Sequence, residues 1–134
     1  MYVAEAASER HEAFGHRPKV LLVEDEAIIR LALASELRGA RYEVIEASNA
    51  DEALEILESV PVDLLISDFF MPGSMDGLQL AECARESCEK LKIIMLSGHL
   101  PQPPSAKLAD CYFPKPYRSS AVLASCRDLL HFPG

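Results

Sequence analysis

The sequence predicts a doubly wound α/β protein: a five-stranded parallel sheet with helices on both faces. Three observations lead there. Short apolar runs recur at 20–23, 64–66, 93–96 and 111–113, as expected of strands covered on both sides. Segments with apolar residues at helical spacing separate them, and a repeated strand–helix order calls for a parallel sheet. Several of the runs also end on residues able to do chemistry, at the sheet edge where open α/β folds place their sites.

Taken in order, residues 1–17 are polar with scattered apolar positions and are expected to form a flexible tail. His11 and His16 lie in it, with nothing beside them to make a metal site. Pro18 introduces the first strand, which closes on the acids Glu24, Asp25 and Glu26. The next helix carries Ile29, Leu33 and Leu37 on one face and is expected to stop at Gly39. Residues 42–47 alternate, Val44 and Glu46 against Glu43 and Ile45, as a strand nearer an edge does. Asn49 with Glu52 matches a capping box; the helix it opens buries Ala53, Leu54 and Leu57 and is stopped by Pro61.

The run 64–66 leads to Asp68 and the turn Met71-Pro72-Gly73. Asp76 and Gln79 form a second capping-box match, opening a helix over 77–88. The run 93–96 ends on Ser97-Gly98. Pro101, Pro103 and Pro104 then leave room for a short fourth helix that starts late, near Pro104. Residues 111–113 make the last strand, closed by Pro114-Lys115-Pro116, and a helix over about 118–130 buries some of Val122, Leu123, Leu129 and Leu130. Residues 18–131 read as one domain, with no output domain expected.

The composition excludes several classes. A net charge of −8 and a pI near 4.9 argue against nucleic acid, which needs clustered Lys and Arg. No apolar run approaches the roughly 18–20 residues of a membrane span, and no secretory signal is visible, so a cytoplasmic protein is expected. Cys83, Cys88, Cys111 and Cys126 lack zinc-like or CxxC spacing and read as buried or half-buried thiols.

The strand ends assemble the chemistry. Glu24 and Asp25 follow the first run, Asp68 the third strand, Ser97 the fourth and Lys115 the fifth. In a doubly wound sheet these ends meet in one crevice. Carboxylates crowded there need a cation, and hard oxygen donors at few positions suit Mg²⁺. Lys115 offers a point charge for a phosphoryl oxygen and Ser97 a hydroxyl donor. That set fits phosphoryl transfer to an aspartate nucleophile.

On the acid pair Glu24-Asp25, Asp68 in SDFFMP followed by MDG, Ser97-Gly98 and Lys115-Pro116, the chain resembles the receiver domains of two-component response regulators over roughly residues 18–131. The resemblance implies a flavodoxin-like (βα)5 fold and a phosphorylation switch, and a stand-alone receiver is expected. It implies Asp68 as phosphoacceptor; Asp25, Asp68 and the backbone carbonyl of Phe70 as Mg²⁺ ligands; and Glu24 contributing through water. Ser97 and Tyr112 resemble the family's switch pair, Lys115 its phosphate clamp, and the Lys115–Pro116 bond is expected to be cis. A sensor histidine kinase or histidine phosphotransfer protein is the implied phosphodonor, with a downstream protein as target and the chain a monomer or weak dimer. Phe70 and His99, two residues beyond Asp68 and Ser97, are expected to lie beside the phosphoryl group and modulate its lifetime. The turn from Met71 to Gly77 is one residue longer than the family's commonest version, Glu24 stands where Asp is more usual, and the prolines fall in the fourth helix.

Other classes fit less well. A flavodoxin-like cofactor protein needs a phosphate loop of exposed amides after the first strand, where this chain has Glu-Asp-Glu. A haloacid-dehalogenase-type phosphatase puts its nucleophile after the first strand with a second acid two residues on, whereas Phe70 holds that offset from Asp68. A phosphorylation-independent interaction module or a phosphate sink on the same scaffold is the alternative closest to the main reading.

Overall fold

In a computed structural model, residues 16–71, 73–97 and 108–132 are described. They form β1 (Lys19–Val23), α1 (Ala27–Gly39), β2 (Glu43–Ala47), α2 (Ala50–Ser59), β3 (Leu64–Asp68), α3 (Gly77–Ser87), β4 (Lys92–Ser97), β5 (Cys111–Pro114) and α4 (Ser119–Leu130). The five strands make one parallel sheet in the order β2-β1-β3-β4-β5. The chain runs outward from β1 to β2, returns to β3 and then builds the other half. The order therefore reverses between β1 and β3, and their C-terminal ends flank the switch-point crevice.

Both faces of the sheet are covered, which explains the unbroken apolar runs. Val20 and Leu22 of β1, with Leu64, Ile66, Ile94 and Leu96, pack against Leu33 and Leu37 of α1 and Val122 and Cys126 of α4. Leu21 and Val23, with Leu65, Ile93 and Met95, pack against Ala53 and Leu57 of α2 and Leu80 and Ala84 of α3. The period-2 geometry of the strands sends alternate residues to opposite helix layers, and both layers are apolar. β2 is an edge strand, as its alternation predicted. Cys88 and Cys126 are buried, Cys83 and Cys111 half-buried, and all four are free thiols. Among the described residues no helix is long and apolar enough to cross a membrane.

One local expectation is met in place but not in geometry, and another is corrected. α1 stops at Gly39, as the sequence predicts, although the glycine does not turn left-handed. It is the last helical residue, and the left-handed position is Arg41, at φ 76°. The Arg41 amide donates to the Arg38 carbonyl and that of Tyr42 to Leu37, which satisfies carbonyls of the last turn just beyond the helix end. Burial of the Tyr42 ring against Phe132 fixes this register. The Asn49–Glu52 capping box is also only half made: Asn49 accepts from the Glu52 amide, but the Glu52 carboxylate turns to the amide and hydroxyl of Ser48. The Asp76–Gln79 box is complete in both directions. The fourth helix expected near Pro104, His99 and most of the tail expected over 1–17 lie outside the described residues.

Candidate functional site

Four strand ends build the site. The Glu24 amide donates to the Ala47 carbonyl, so the chain leaves β1 still tied to β2. Arg30, one turn into α1, donates from Nη1 to the Glu24 carbonyl at 2.9 Å and is itself held by Glu46. This fixes the acid loop and turns Glu24 inward and Asp25 outward: Glu24 is buried and Asp25 exposed. Asp68 ends the central strand, buried. Its carbonyl is approached so closely by Gly77 that a Cβ there would collide with it, which explains the glycine of MDG at the start of α3. The Gly77 amide donates to the Phe69 carbonyl, closing the base of the turn.

Lys115 arrives from the end of β5, on a cis bond to Pro116, with its amide donating to the Ser97 carbonyl. Its Nζ donates to Glu24 Oε1 at 2.8 Å and lies 3.2 Å from Asp68 Oδ2. Ser97 is fully buried at the end of β4, and Tyr112, paired in register with Met95, is half-buried against the α2–α3 side of the core. Phe70 is exposed, its ring edge-on to Phe69 with centroids 5.0 Å apart. The structure thus brings Glu24, Asp25, Asp68 and Lys115 together.

The electrostatics are unbalanced. Glu24, Asp25 and Asp68 each direct an oxygen to within 4.8 Å of the others, and among the described residues the ammonium that pairs with them is that of Lys115. Burial, followed by the charge of Glu24, pushes the Asp68 carboxyl up to about 6 despite Lys115. Asp25, though exposed overall, is raised too, by partial desolvation of its carboxyl and by the hydrogen bond and charge of Glu24. Burial disfavours the Lys115 charge, but the Glu24 bond and the Asp68 and Glu24 charges outweigh it, and its pKa is raised. Three hard carboxylate oxygens around a deficit of positive charge are a donor set that fits Mg²⁺.

Arg30 and Tyr117 are not singled out from sequence, and Gly77 enters only as part of MDG, without its close approach to Asp68. Tyr117 is half-buried near the site; burial raises its pKa, Lys115 lowers it, and the Glu24 and Asp68 charges raise it further. The MDG motif was the available signal for Gly77. Nothing local signals Arg30, whose partners depend on how α1 leaves the sheet.

Comparison with known proteins gives a consistent answer. A family model for the response regulator receiver domain matches residues 20–124. The chain is 36% identical over 115 residues to the two-component response regulator ORR11 of Oryza sativa subsp. japonica, covering 81% of this chain and 78% of that protein. It is 36% identical over 117 residues to the sensor kinase CckA of Brucella abortus (strain 2308), covering 83% of this chain but only 12% of that protein. Among solved structures it is similar to the response regulator TrrA of Thermotoga maritima in complex with Mg²⁺ and BeF, with a TM-score of 0.77 and 33% identity over 84% of this chain and 98% of that one. A CheY-like receiver domain protein of Methanospirillum hungatei JF-1 gives a TM-score of 0.80 and 27% identity over 87% and 96%. The chain belongs to the response regulator receiver domain family, the phosphoacceptor modules of two-component signalling.

Proposed function

We propose that this receiver is a phosphorylation-dependent switch of a two-component phosphorelay, with Asp68 as its phosphoacceptor and Mg²⁺ as its cofactor. The observation that carries this is the convergence on Asp68 of two further carboxylates and Lys115. Asp25, Asp68 and the Phe70 carbonyl would hold the cation, with Glu24 contributing charge through water. Bound there, Mg²⁺ supplies the charge compensation that lets an anionic phosphoryl group approach carboxylates.

An ionised Asp68 oxygen attacks the phosphorus of a phosphohistidine on a sensor kinase or histidine phosphotransfer protein. The new O–P bond forms as the N–P bond breaks, and the imidazole nitrogen leaves with the bonding pair. Lys115, already 3.2 Å from Asp68, clamps a phosphoryl oxygen. The Ser97 hydroxyl donates to another, and Tyr112 follows Ser97, carrying the change to the surface. The chain catalyses only its own phosphotransfer and dephosphorylation, in the cytoplasm, and signals by contact with a downstream protein. The exposed Phe70 ring cannot orient an attacking water, so the phosphorylated form decays slowly. His99 is the other modulating candidate.

Incubation with acetyl phosphate and Mg²⁺ should add one phosphoryl mass. The reading is lost if Asp68→Ala is modified equally, or if chelation has no effect. In the same assay, phosphoprotein carrying Phe70→Asn should lose phosphate faster than the parent; equal decay removes the screening role of Phe70.

A further inference from the structure

The turn between β3 and α3 is fastened at its base by the Gly77 amide on the Phe69 carbonyl and by the Asp76–Gln79 box. Its tip is fastened differently. Ser74 Oγ lies 2.8 Å from both carboxylate oxygens of Asp51, a residue of the first turn of α2 and 23 positions away in sequence. Gly73 supports this path: its φ of 121° is open to glycine, and a Cβ there would sit in ordinary contact with Asp51 Oδ2 at 3.7 Å. Asp51 is itself well anchored, because Asn49 caps α2 and β2 is paired with β1 up to Ala47. A carboxylate near a helix N-terminus is also held there by the helix dipole.

We propose that Asp51 and Ser74 are positioning residues for the cation site: their hydrogen bond sets the path of the long turn and, through it, the direction of the Phe70 carbonyl. This rests on the proposed Mg²⁺ site. The bond links the turn to the end of the sheet that carries Glu24 and Asp25, so the two sides of the site are fixed relative to each other. A turn with an extra residue has more conformations to lose on binding, and a tether that removes them beforehand raises affinity without touching the ion.

The test is Mg²⁺ titration by calorimetry of the full chain and of Ser74→Ala, Ser74→Thr, Asp51→Ala and the double alanine variant, with hydrogen exchange on each metal-free protein. Ser74→Ala and Asp51→Ala should each weaken Mg²⁺ binding by about threefold to tenfold. The double variant should be no weaker than Asp51→Ala alone, since one bond is lost in each. Ser74→Thr keeps the hydroxyl and should bind like the parent. Amides of residues 73–76 should exchange faster in both alanine variants even without metal. A merely structural bond would lower the melting temperature and leave the Mg²⁺ affinity unchanged, which would overturn the proposal. So would unaltered exchange at 73–76. A parent that binds no Mg²⁺ would sink the cation site itself, together with this proposal, whatever the exchange data show.

Discussion

The two edges of the sheet use carboxylates in opposite ways. At the N-terminal edge, buried Asp63 accepts from the Lys19 amide at 2.8 Å, and its own amide donates to the Lys19 carbonyl. Asp110 likewise accepts from the Ile93 amide at 2.8 Å and pairs with Arg85, whose guanidinium also donates to the Glu89 and Leu91 carbonyls. Each acid there satisfies a backbone donor that the strand start leaves unpaired. At the C-terminal edge, Glu24, Asp25 and Asp68 crowd one another around Lys115, and two of the three are pushed toward protonation. One edge is arranged to hold the fold and the other to receive charge. Unfavourable charge is thus gathered at the edge where phosphoryl transfer is proposed, a common pattern at functional sites.

The sharpest break of this comparison is Asp63→Ala. It leaves the Lys19 amide without the carboxylate it donates to, and should cost about 2 kcal/mol in urea unfolding. A loss no larger than a surface substitution gives would mean that the lower edge is not held this way.

Asp68→Asn should act in the opposite direction and somewhat more weakly. The native carboxyl, at about 6, binds its proton more tightly than in the unfolded chain, where it takes its ordinary value of 3.8. The native state therefore holds more protons across that window, and the contribution of Asp68 to stability falls as pH rises from about 4 to about 6. Above that window the asparagine variant should exceed the parent by about 1–2 kcal/mol, and the gap should close toward pH 4. Urea midpoints of both proteins across this range measure it; a variant less stable than the parent at pH 7.5 would place the strain elsewhere.

The same contrast explains what could be read from the sequence. The strands were legible because both faces are buried, so that runs such as 20–23 and 93–96 carry no competing polar signal. Asp68 and Lys115 were legible because the parallel topology sends every strand end to one edge, and the MDG and Lys-Pro signals mark the turns there. The lower edge was not legible: Asp63 and Lys19 are 44 positions apart, and no local spacing announces their pairing. The same holds for the tether from Asp51 to Ser74. At Gly39 the local rule found the end of α1, but the left-handed turn falls at Arg41, beside the buried Tyr42, where no glycine marks it. Which member of the acid pair turns inward was also hidden, since it depends on Arg30 holding the Glu24 carbonyl.

The carboxylates at the upper edge are crowded in a way that suits a divalent cation settling among them. Unfolding of the parent and of Asp25→Asn at pH 7.5, with increasing Mg²⁺ and matched ionic strength, tests it most directly. The parent should gain stability with the logarithm of Mg²⁺ concentration, reaching about 2.7 kcal/mol at about 100 times the dissociation constant, while Asp25→Asn gains far less. A parent whose stability does not respond to Mg²⁺, or an Asp25→Asn variant that responds as strongly as the parent, would contradict it.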